Sequence, residues 1–503
     1  MSTVLLSVVV AVGPMTDQVE DATRTAREDA VAATEGSFEA QGDGPWELVV
    51  TEGTDSLAAR LNAAVARTTG RFVAVVEAGD RLEPGALAAV TEMIGAREGA
   101  GTPEPGVVYT DEQWEGEGAA GIFTKPRWVP RYLEGYSYLG RLCFVRRDVL
   151  DAAGAWREDH APVREWDLHL RVTELTDDVL HVPVLGVARV NPPSDDAEAR
   201  EAGRRAVMAR YDRRGVAATV ELTGEGDEPG GFVRVWREGG TPLVSIVVPT
   251  AGGRRRVRGQ DRVLVENLLA SLLARTTYPA WEVVLVPSEG TPDDVLERCA
   301  ALLGERLRLA PVGGGFNFSR SVNTGVAAAA GELVLLLNDD TEILEPRWLD
   351  RMVAVAAEDG VGAVGAKLLF EDGRIQHVGV TFDDTGQAGH VYIFEREDAG
   401  HFGSKVVDLD YLAVTGACLL VPRAVYEEVG GFTESLPLNY NDVDFCLKVV
   451  ASGRRIVCTP FARLYHYESS TRETTKTDDE AKAVQWWYPR TLTDPYVNVR
   501  GLG

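Results

Sequence analysis

Two acidic residues stand directly after a strongly apolar segment of the chain. Residues 333–337 are five consecutive apolar residues, and Asn338, Asp339 and Asp340 follow them. Such a run is typical of a strand buried on both faces, as in a parallel sheet. Open α/β sheets bind ligands at the carboxyl ends of their strands, where carboxylates suit a divalent cation that carries a diphosphate. The alternative is that the two acids only form a turn.

A second pair of carboxylates, Asp442 and Asp444, lies where the pattern predicts the start of a helix. A carboxylate held within hydrogen-bond distance of a substrate hydroxyl can act as a general base, whereas helix capping by Asn441 or Asp442 is the structural alternative. His466 follows a predicted strand, and a neutral imidazole there could complete a metal site with Asp340. Taken alone, His466 fits an ordinary structural histidine equally well.

These residues belong to the second of two similar α/β regions. Three pairs of segments match between the regions: 61–65 with 322–326, 138–145 with 414–421, and 165–171 with 442–448. A repeat of this length predicts two copies of one unit. We therefore divide the chain into domains at residues 1–220 and 242–480.

The segments between and after these domains have their own composition. Residues 221–241 are rich in Gly, Glu and Pro, which predicts a linker. Residues 481–503 form an aromatic tail. We expect the tail to pack against the second domain, with contact to a membrane surface as the alternative.

The bulk properties exclude several classes of protein. A chain of 503 residues predicts two or three domains, and a net charge of −26 argues against a nucleic-acid partner. The five cysteines are scattered, which argues against a zinc site or a disulfide framework. Residues 3–12 lack a basic leader and predict a core strand. No apolar run is long enough to span a bilayer, so we expect a cytoplasmic protein.

Taken together, the motifs resemble family 2 glycosyltransferases with the GT-A fold, and most closely the two-domain O-antigen or rhamnosyltransferase-like members. The resemblance covers residues 240–500 and, more weakly, 1–220. It rests on the order and spacing of these segments: Val247-Val248-Pro249-Thr250, Phe316-Asn317-Phe318-Ser319, Asn338-Asp339-Asp340, Val414-Thr415-Gly416-Ala417, Gly430-Gly431-Phe432, Asn441-Asp442-Val443-Asp444 and His466. It implies an α/β fold of two tandem GT-A domains, which are Rossmann-like with a mostly parallel sheet.

The resemblance also implies an activity. It implies inverting, metal-dependent transfer of a sugar from dTDP-rhamnose or a UDP-sugar to a hydroxyl of a glycan or lipid-linked acceptor in bacterial surface polysaccharide synthesis. Peripheral contact with the inner face of the plasma membrane would follow from a lipid-linked acceptor. It places Mg²⁺ or Mn²⁺ on Asp340 and His466, the catalytic base at Asp442, and a supporting acid at Asp444.

The remaining implied residues bind the two substrates. The donor-binding residues are Pro249, Thr250, Ser288, Glu289, Asn323, Asn338, Asp339 and Asp340. The acceptor-binding residues are Gly416, Ala417, Asn441 and His390. The sequence departs from the family at three positions: Asn338 replaces the usual first Asp, Asn441 replaces a Glu, and Ser288 or Glu289 stands in for the Asp that reads the base.

The first copy lacks both proposed metal ligands. Counting from Gly70 as from Gly331 places Gly79 where Asp340 stands, while Glu165 takes the base position and Arg189 the histidine position. No equivalent cation site remains unless Asp80, next to Gly79, rescues it by a register shift. We therefore predict a degenerate N-terminal domain that binds glycan, forms a homodimer or supports its partner domain.

Two other functions compete with glycosyl transfer. Residues 251–253 form a short Gly-rich segment after the first strand, as in sugar-phosphate nucleotidyltransferases. A non-catalytic glycan-binding protein is the second alternative. The basic insert 252–259 predicts either a lid over a diphosphate or a solvated loop.

Overall fold

The structure is a computed structural model that describes residues 4–13, 21–115, 121–190, 196–223, 231–467 and 477–496. The chain divides into two compact units, Met1–Val235 and Trp236–Val499.

The first unit is built on one mixed sheet. Its elements are β1 (Leu6–Ala11), α1 (Asp21–Glu39), β2 (Trp46–Val50), α2 (Leu57–Arg67), β3 (Phe72–Glu77), β4 (Arg81–Leu82), α3 (Ala86–Gly99), β5 (Val107–Trp114), β6 (Gly121–Phe123), α4 (Pro130–Gly135), β7 (Phe144–Arg146), α5 (Arg147–Ala153), α6 (Arg164–Val172), β8 (Val179–Arg189), α7 (Ala197–Arg214), β9 (Ala218–Leu222) and β10 (Val233–Arg237). The main strand order is β2-β1-β3-β7-β5-β8-β4, and β9 pairs with β10 in a separate ribbon.

The second unit repeats this plan with additional strands. Its elements are β11 (Val244–Thr250), β12 (Arg254–Val257), β13 (Gln260–Val263), α8 (Leu264–Arg275), β14 (Trp281–Pro287), α9 (Asp293–Leu303), β15 (Leu307–Leu309), α10 (Phe318–Ala328), β16 (Leu333–Leu337), β17 (Thr341–Ile343), α11 (Trp348–Ala356), β18 (Val361–Leu369), β19 (Ile375–His377), β20 (Val380–Phe382), β21 (Ala388–His390), β22 (Leu409–Tyr411), β23 (Cys418–Pro422), α12 (Arg423–Glu428), α13 (Asn441–Ala451), β24 (Arg455–His466) and α14 (Asp478–Thr491). The main order is β15-β14-β11-β16-β23-β18-β24-β17.

The parallel strands of the second unit form the centre of its core. Strands β11, β14 and β16 pair in parallel, and all five residues of β16 are buried. Ile246, Leu285 and Leu335 from these strands share one apolar cluster with Leu268 of α8 and Trp348 of α11. Helices on the sheet faces explain why these strands read as continuous apolar runs in the sequence.

The two units share strand order and register. Leu6 pairs with Phe72 in the first unit, as Val244 pairs with Leu333 in the second. Beyond β3 and β16 the sheets continue through antiparallel β7 and β23. The expected α/β fold is confirmed, and the common strand order supports a duplication.

The segment predicted as a linker contains ordered structure. Residues 221–241 include the end of β9 and all of β10, where the Thr223 backbone N–H donates to the Phe232 carbonyl at 2.9 Å. Residues 224–230 lie outside the described residues. The boundary between the units falls at 235/236. The Gly-, Glu- and Pro-rich composition of residues 221–241 therefore corresponds to a two-stranded ribbon as well as to a connecting segment.

The predicted tail, residues 481–503, overlaps helix α14. Thr477 and Glu480 form a capping box at its start, which satisfies the first backbone N–H groups. Residues 497–503 lie outside the described residues. Among the helices of the described residues, none has the length and apolar content to cross a membrane.

Candidate active site

Antiparallel pairing of β17 with the end of β24 brings the two proposed metal ligands together. Thr341, the first residue after Asp340, lies opposite His466. The Nε2 atom of His466 is 3.1 Å from Oδ1 of Asp340. The Tyr467 backbone N–H donates to the Asp340 carbonyl at 2.8 Å, which extends the pairing by one residue.

Gln376 determines the tautomer of His466. Its Oε1 atom is 2.7 Å from His466 Nδ1, and its amide Nε2 donates to the His466 carbonyl at 3.5 Å. An amide oxygen only accepts hydrogen bonds, so Nδ1 carries a proton, and in the neutral imidazole Nε2 keeps its lone pair. The Asn338 amide nitrogen, 3.3 Å from Nε2, is consistent with that assignment. The imidazole thus presents a ligand atom towards Asp340.

The chemistry of this group fits a divalent cation. Asp340 contributes a carboxylate and His466 an imidazole nitrogen, and Oδ1 of Asn338 is buried without a hydrogen-bond partner among the described residues. These donors suit Mg²⁺ or Mn²⁺. Within the described part of the chain, no cluster of three His, Cys, Asp or Glu could hold a metal. Two protein ligands would leave coordination positions for a diphosphate and water.

Asp442 is held at the start of α13 by two backbone donors. The Gly416 N–H donates to its Oδ2 at 2.9 Å, and the Val443 N–H donates to its Oδ1 at 2.8 Å. A Cβ atom at Gly416 would lie 3.3 Å from that of Asp442, so glycine permits this close approach. The carboxylate is therefore oriented by backbone groups rather than by a cationic side chain.

Asp442 and His466 line one cavity of about 620 Å³. Asn338 lines it as well, and Asp340, which is not one of the lining residues, lies in contact with His466. The structure therefore brings the three residues predicted to carry the chemistry to one place. The side chains come from the end of β16, the start of α13 and the end of β24.

All four residues predicted to bind the acceptor line this cavity: Gly416, Ala417, Asn441 and His390. His390 Nδ1 is 2.8 Å from Nδ1 of His377, whose Nε2 accepts the Thr415 backbone N–H at 3.3 Å. Complete burial, with the neighbouring imidazoles of His390 and His466, holds the pKa of His377 well below its usual range. His377 therefore stays neutral and orients His390.

Apart from Asn323, which lies in α10, the predicted donor residues lie at or just after the ends of strands β11, β14 and β16. Thr250 donates its hydroxyl to Oδ2 of Asp339 at 2.6 Å, and the Ser288 N–H donates to the Thr250 carbonyl at 2.9 Å. Pro249 is half-buried and Glu289 is exposed. Open α/β sheets bind nucleotides at this end of their strands.

Asn323, predicted to bind the donor, is held by contacts within the protein. Its Nδ2 donates to the Phe432 carbonyl at 2.9 Å and to Glu434, while its Oδ1 accepts the Phe432 N–H at 3.0 Å and the Tyr426 hydroxyl. The amide is thus saturated by protein groups. Asn323 ties α10 to the loop before α13, which favours a structural role, while donor binding by Asn323 stays a prediction.

The same fold-stabilising contact occurs in the first unit. Asn62, which matches Asn323, donates to the Trp156 carbonyl at 3.0 Å and accepts the Trp156 N–H at 3.1 Å. This amide contact occurs in both units, and the first unit lacks the proposed metal ligands. The contact therefore stabilises the fold.

Asp444 also has a structural position. Its Oδ2 accepts the Thr433 hydroxyl at 2.7 Å and lies 3.3 Å from Lys448 Nζ, and its Oδ1 accepts the Trp487 indole N–H at 2.9 Å. Asp444 is 8% exposed and is not among the residues that line the cavity. Its contacts anchor α14 to α13 and favour a structural role, while the supporting acid stays a prediction.

An arginine occupies the metal-site region of the first unit. By the shared strand register, Arg141 of the first unit is equivalent to Ala417 of the second. The Arg141 guanidinium donates to both oxygens of Asp80 at 2.7 and 2.6 Å and pairs with Glu77 at 2.5 Å. Burial lowers the pKa of Arg141, but the carboxylates of Asp80 and Glu77 outweigh that effect and raise it above its usual value. A fixed internal cation thus neutralises these carboxylates.

The basic insert forms the hairpin β12–β13. The Arg258 guanidinium lies 4.9 Å from the Tyr465 ring centroid and 3.2 Å from Glu342, and the Arg258 N–H donates to Glu371 at 2.6 Å. These contacts attach the turn of the hairpin to the domain, and the hairpin is not part of the cavity lining.

Several residues that line the cavity were given no role from the sequence, among them Gln376, Tyr440 and Glu480. Glu480 carries a detectable signal, because Thr477 and Glu480 have the spacing of a capping box. Gln376 and Tyr440 carry none, since their positions depend on strand pairing and on an unusual backbone angle.

Comparison with known proteins agrees with this geometry. The family described as "Glycosyltransferase like family 2" matches residues 242–485. The match to this glycosyltransferase family covers just under half of the chain. The match contains every predicted site residue, since Pro249 and His466 are the outermost of them.

The similarity to two curated relatives extends beyond residues 242–485. The chain is 36% identical over 441 residues to protein y4gI of Sinorhizobium fredii, which covers 84% of this chain and 47% of that protein. It is 34% identical over 467 residues to the O-antigen biosynthesis protein RfbC of Myxococcus xanthus, covering 90% and 35% respectively. The chain thus spans less than half the length of either relative.

Solved structures show more distant similarity. One is GalNAc-T7 with UDP, GalNAc and Mn²⁺, at 14% identity and a TM-score of 0.41, covering 54% of this chain and 53% of that one. Another is a mannosyltransferase from Pyrobaculum calidifontis with GDP-Man and Mn²⁺, at 17% identity and a TM-score of 0.34, covering 50% and 72%.

Proposed function

We propose that the second unit transfers a sugar, with inversion, from a nucleotide-sugar donor to a hydroxyl of a glycan or lipid-linked acceptor. The observation that carries the proposal is the shared cavity, in which the base candidate Asp442 and the ligand atom of His466 both face the same space. The family 2 match to residues 242–485 supports the reaction class.

Asp442 performs the proton transfer in this reaction. Its carboxylate takes the proton of the acceptor hydroxyl as that oxygen forms a bond to the anomeric carbon, while the bond from the anomeric carbon to the diphosphate oxygen breaks. The Gly416 and Val443 N–H groups keep the carboxylate in place. Attack from the face opposite the diphosphate inverts the anomeric configuration.

The diphosphate is placed by the residues that follow β16. Asp340 and His466 would hold Mg²⁺ or Mn²⁺, and such a cation would offset the negative charge that develops on the departing diphosphate. Asp339 is fixed by the Thr250 hydroxyl, and Ser288, whose N–H donates to the Thr250 carbonyl, would contact the base or ribose.

A dTDP-rhamnose or UDP-sugar donor and a role in bacterial surface polysaccharide synthesis complete the proposal. The relative that is named an O-antigen biosynthesis protein, 34% identical to this chain, supports that role.

The test is release of nucleoside diphosphate from a panel of nucleotide sugars that includes dTDP-rhamnose, UDP-glucose and GDP-mannose, with Mn²⁺ present. We expect the wild-type protein to release the diphosphate of one nucleotide class. Release of pyrophosphate from a nucleoside triphosphate and a sugar phosphate would instead indicate a nucleotidyltransferase. No release from any nucleotide sugar would contradict the proposal.

A further inference from the structure

Tyr440 directly precedes helix α13, which begins at Asn441, and its backbone conformation is unfavourable. It is the N-cap residue of α13, with φ of 60° and ψ of 3°. Residues with a bulky side chain rarely occupy this left-handed region, and holding one there costs about 1–3 kcal/mol. A glycine or asparagine would adopt the same turn with less strain. The strain therefore calls for a role of the side chain.

The Tyr440 hydroxyl is buried without a hydrogen-bond partner among the described residues. Its side chain lines the same cavity as Asp442, two residues along the chain. Burial, reinforced by the nearby Asp444 carboxylate, raises the pKa of the phenol, so it remains a neutral donor and acceptor. A buried hydroxyl left unpaired in a protein usually costs about 1–3 kcal/mol.

The first unit shows that the strain is not a requirement of the fold. Counting back from α13 to α6 with the shared register, Val163 stands where Tyr440 stands, and it has φ of −130°. The helix that follows retains the Asp167–Arg171 ion pair, which matches Asp444 and Lys448. The left-handed residue and its unpaired hydroxyl therefore occur in the unit that keeps the metal ligands.

Other polar side chains line the cavity together with apolar ones. Glu480 accepts the Asn439 N–H at 3.2 Å and the Thr477 N–H at 2.8 Å, and both its carboxylate and the imidazole of His390 belong to the lining. Carboxylate, imidazole, amide and phenol groups together suit a ligand with several hydroxyl groups.

We propose that Tyr440 is a specificity-determining residue that hydrogen-bonds an oxygen of a hydroxylated sugar acceptor and holds the acceptor beside Asp442. This inference rests on the proposed glycosyl transfer. The Tyr440 backbone is strained and its hydroxyl has no partner among the described residues, and acceptor binding supplies that partner.

The test compares two isosteric substitutions, Tyr440→Phe and Tyr278→Phe. Tyr278 is the matched control, because it is buried in the same unit and its hydroxyl donates to the Pro242 carbonyl at 2.6 Å. The assay measures transfer to octyl glycosides of glucose, galactose, mannose and rhamnose from the donor that the wild-type protein consumes. Thermal unfolding and donor hydrolysis without acceptor are measured on the same samples.

For Tyr440→Phe we expect kcat/KM for the best octyl glycoside to fall about tenfold, with donor hydrolysis unchanged. Its Tm should stay level or rise, because the unpaired hydroxyl is gone. Tyr278→Phe should lower Tm and leave transfer unchanged. Equal transfer by Tyr440→Phe and wild type, or a loss of Tm as large as that of Tyr278→Phe, would overturn the inference. A wild-type protein that consumes no nucleotide sugar would refute the proposed function instead.

Discussion

The Nδ1 atom of His466 lies 2.7 Å from Oε1 of Gln376, and this contact orients the imidazole. In the neutral imidazole this contact leaves the Nε2 lone pair available to a ligand, and Nε2 lies 3.1 Å from the Asp340 carboxylate. His466 ends β24 and Gln376 lies in β19, so two strands of one sheet set the geometry of the proposed metal ligand.

Loss of this orientation should weaken metal binding without removing a ligand. For Gln376→Leu we expect Mn²⁺ affinity to fall about 10–100-fold, since partners that orient ligands typically have effects of this size. Gln376→Glu keeps an acceptor for Nδ1 and should retain most of the affinity. Mn²⁺ titration followed by electron paramagnetic resonance measures both. If Leu and Glu variants bind Mn²⁺ equally, the orienting role of Gln376 is wrong.

Removing the charge of Asp442 should stop proton transfer while leaving the site assembled. We expect Asp442→Asn to lower kcat for transfer about 10²–10⁴-fold, because the amide cannot accept the acceptor proton. Donor affinity should not change, because Asp442 lies with the acceptor residues. Steady-state transfer and equilibrium binding of the donor check the two statements. Asp444→Asn is the control, and its main effect should be on stability. Normal turnover by Asp442→Asn would refute the assignment of the base.

Asn323 should behave as a residue of the fold. Asn323→Ala removes four hydrogen bonds and should lower the free energy of unfolding by about 2–4 kcal/mol. Asn62→Ala should destabilise the first unit in the same way, because it makes the matching contact. Denaturant unfolding and the KM for the donor are the measurements. An Asn323→Ala protein of normal stability with a raised donor KM would restore the original donor-binding interpretation.

Arg141 should be essential to the first unit and dispensable for transfer. Arg141→Met leaves the fully buried Asp80 carboxylate unpaired and should cost about 3–5 kcal/mol of stability. Adding Asp80→Asn should recover part of this loss, because the amide needs no counter-charge. Unfolding followed in parallel with donor turnover tests both points. Normal stability of Arg141→Met, or no recovery in the double variant, would show that the ion pair does not hold the unit together.

The sequence was most informative at polar residues whose type is unusual for their position next to a strand or helix. Asp340 after an apolar strand, Asp442 at a helix start and His466 after a strand could all be selected by residue type and spacing. Their convergence required the pairing of β17 with β24, which the sequence did not specify.

The contacts of Asn323 and Asp444 favour structural roles that the sequence did not predict, because fold-stabilising residues also belong to the motifs. The first copy separates the two kinds of residue. It keeps Asn62 and Asp167, which match Asn323 and Asp444, whereas Gly79 and Arg189 replace Asp340 and His466. The left-handed angle of Tyr440 and the contact of Gln376 arise from tertiary packing, so no local pattern announces them.

The central claim is that Asp340 and His466 hold a divalent cation with the donor diphosphate next to Asp442. The most direct measurement is calorimetric binding of the nucleoside diphosphate of the preferred donor, with Mn²⁺ and with EDTA, to wild type, Asp340→Ala and Asp442→Asn. We predict Mn²⁺-dependent binding by wild type and Asp442→Asn, and its loss in Asp340→Ala. Equal Mn²⁺-dependent binding by Asp340→Ala and wild type would contradict the account.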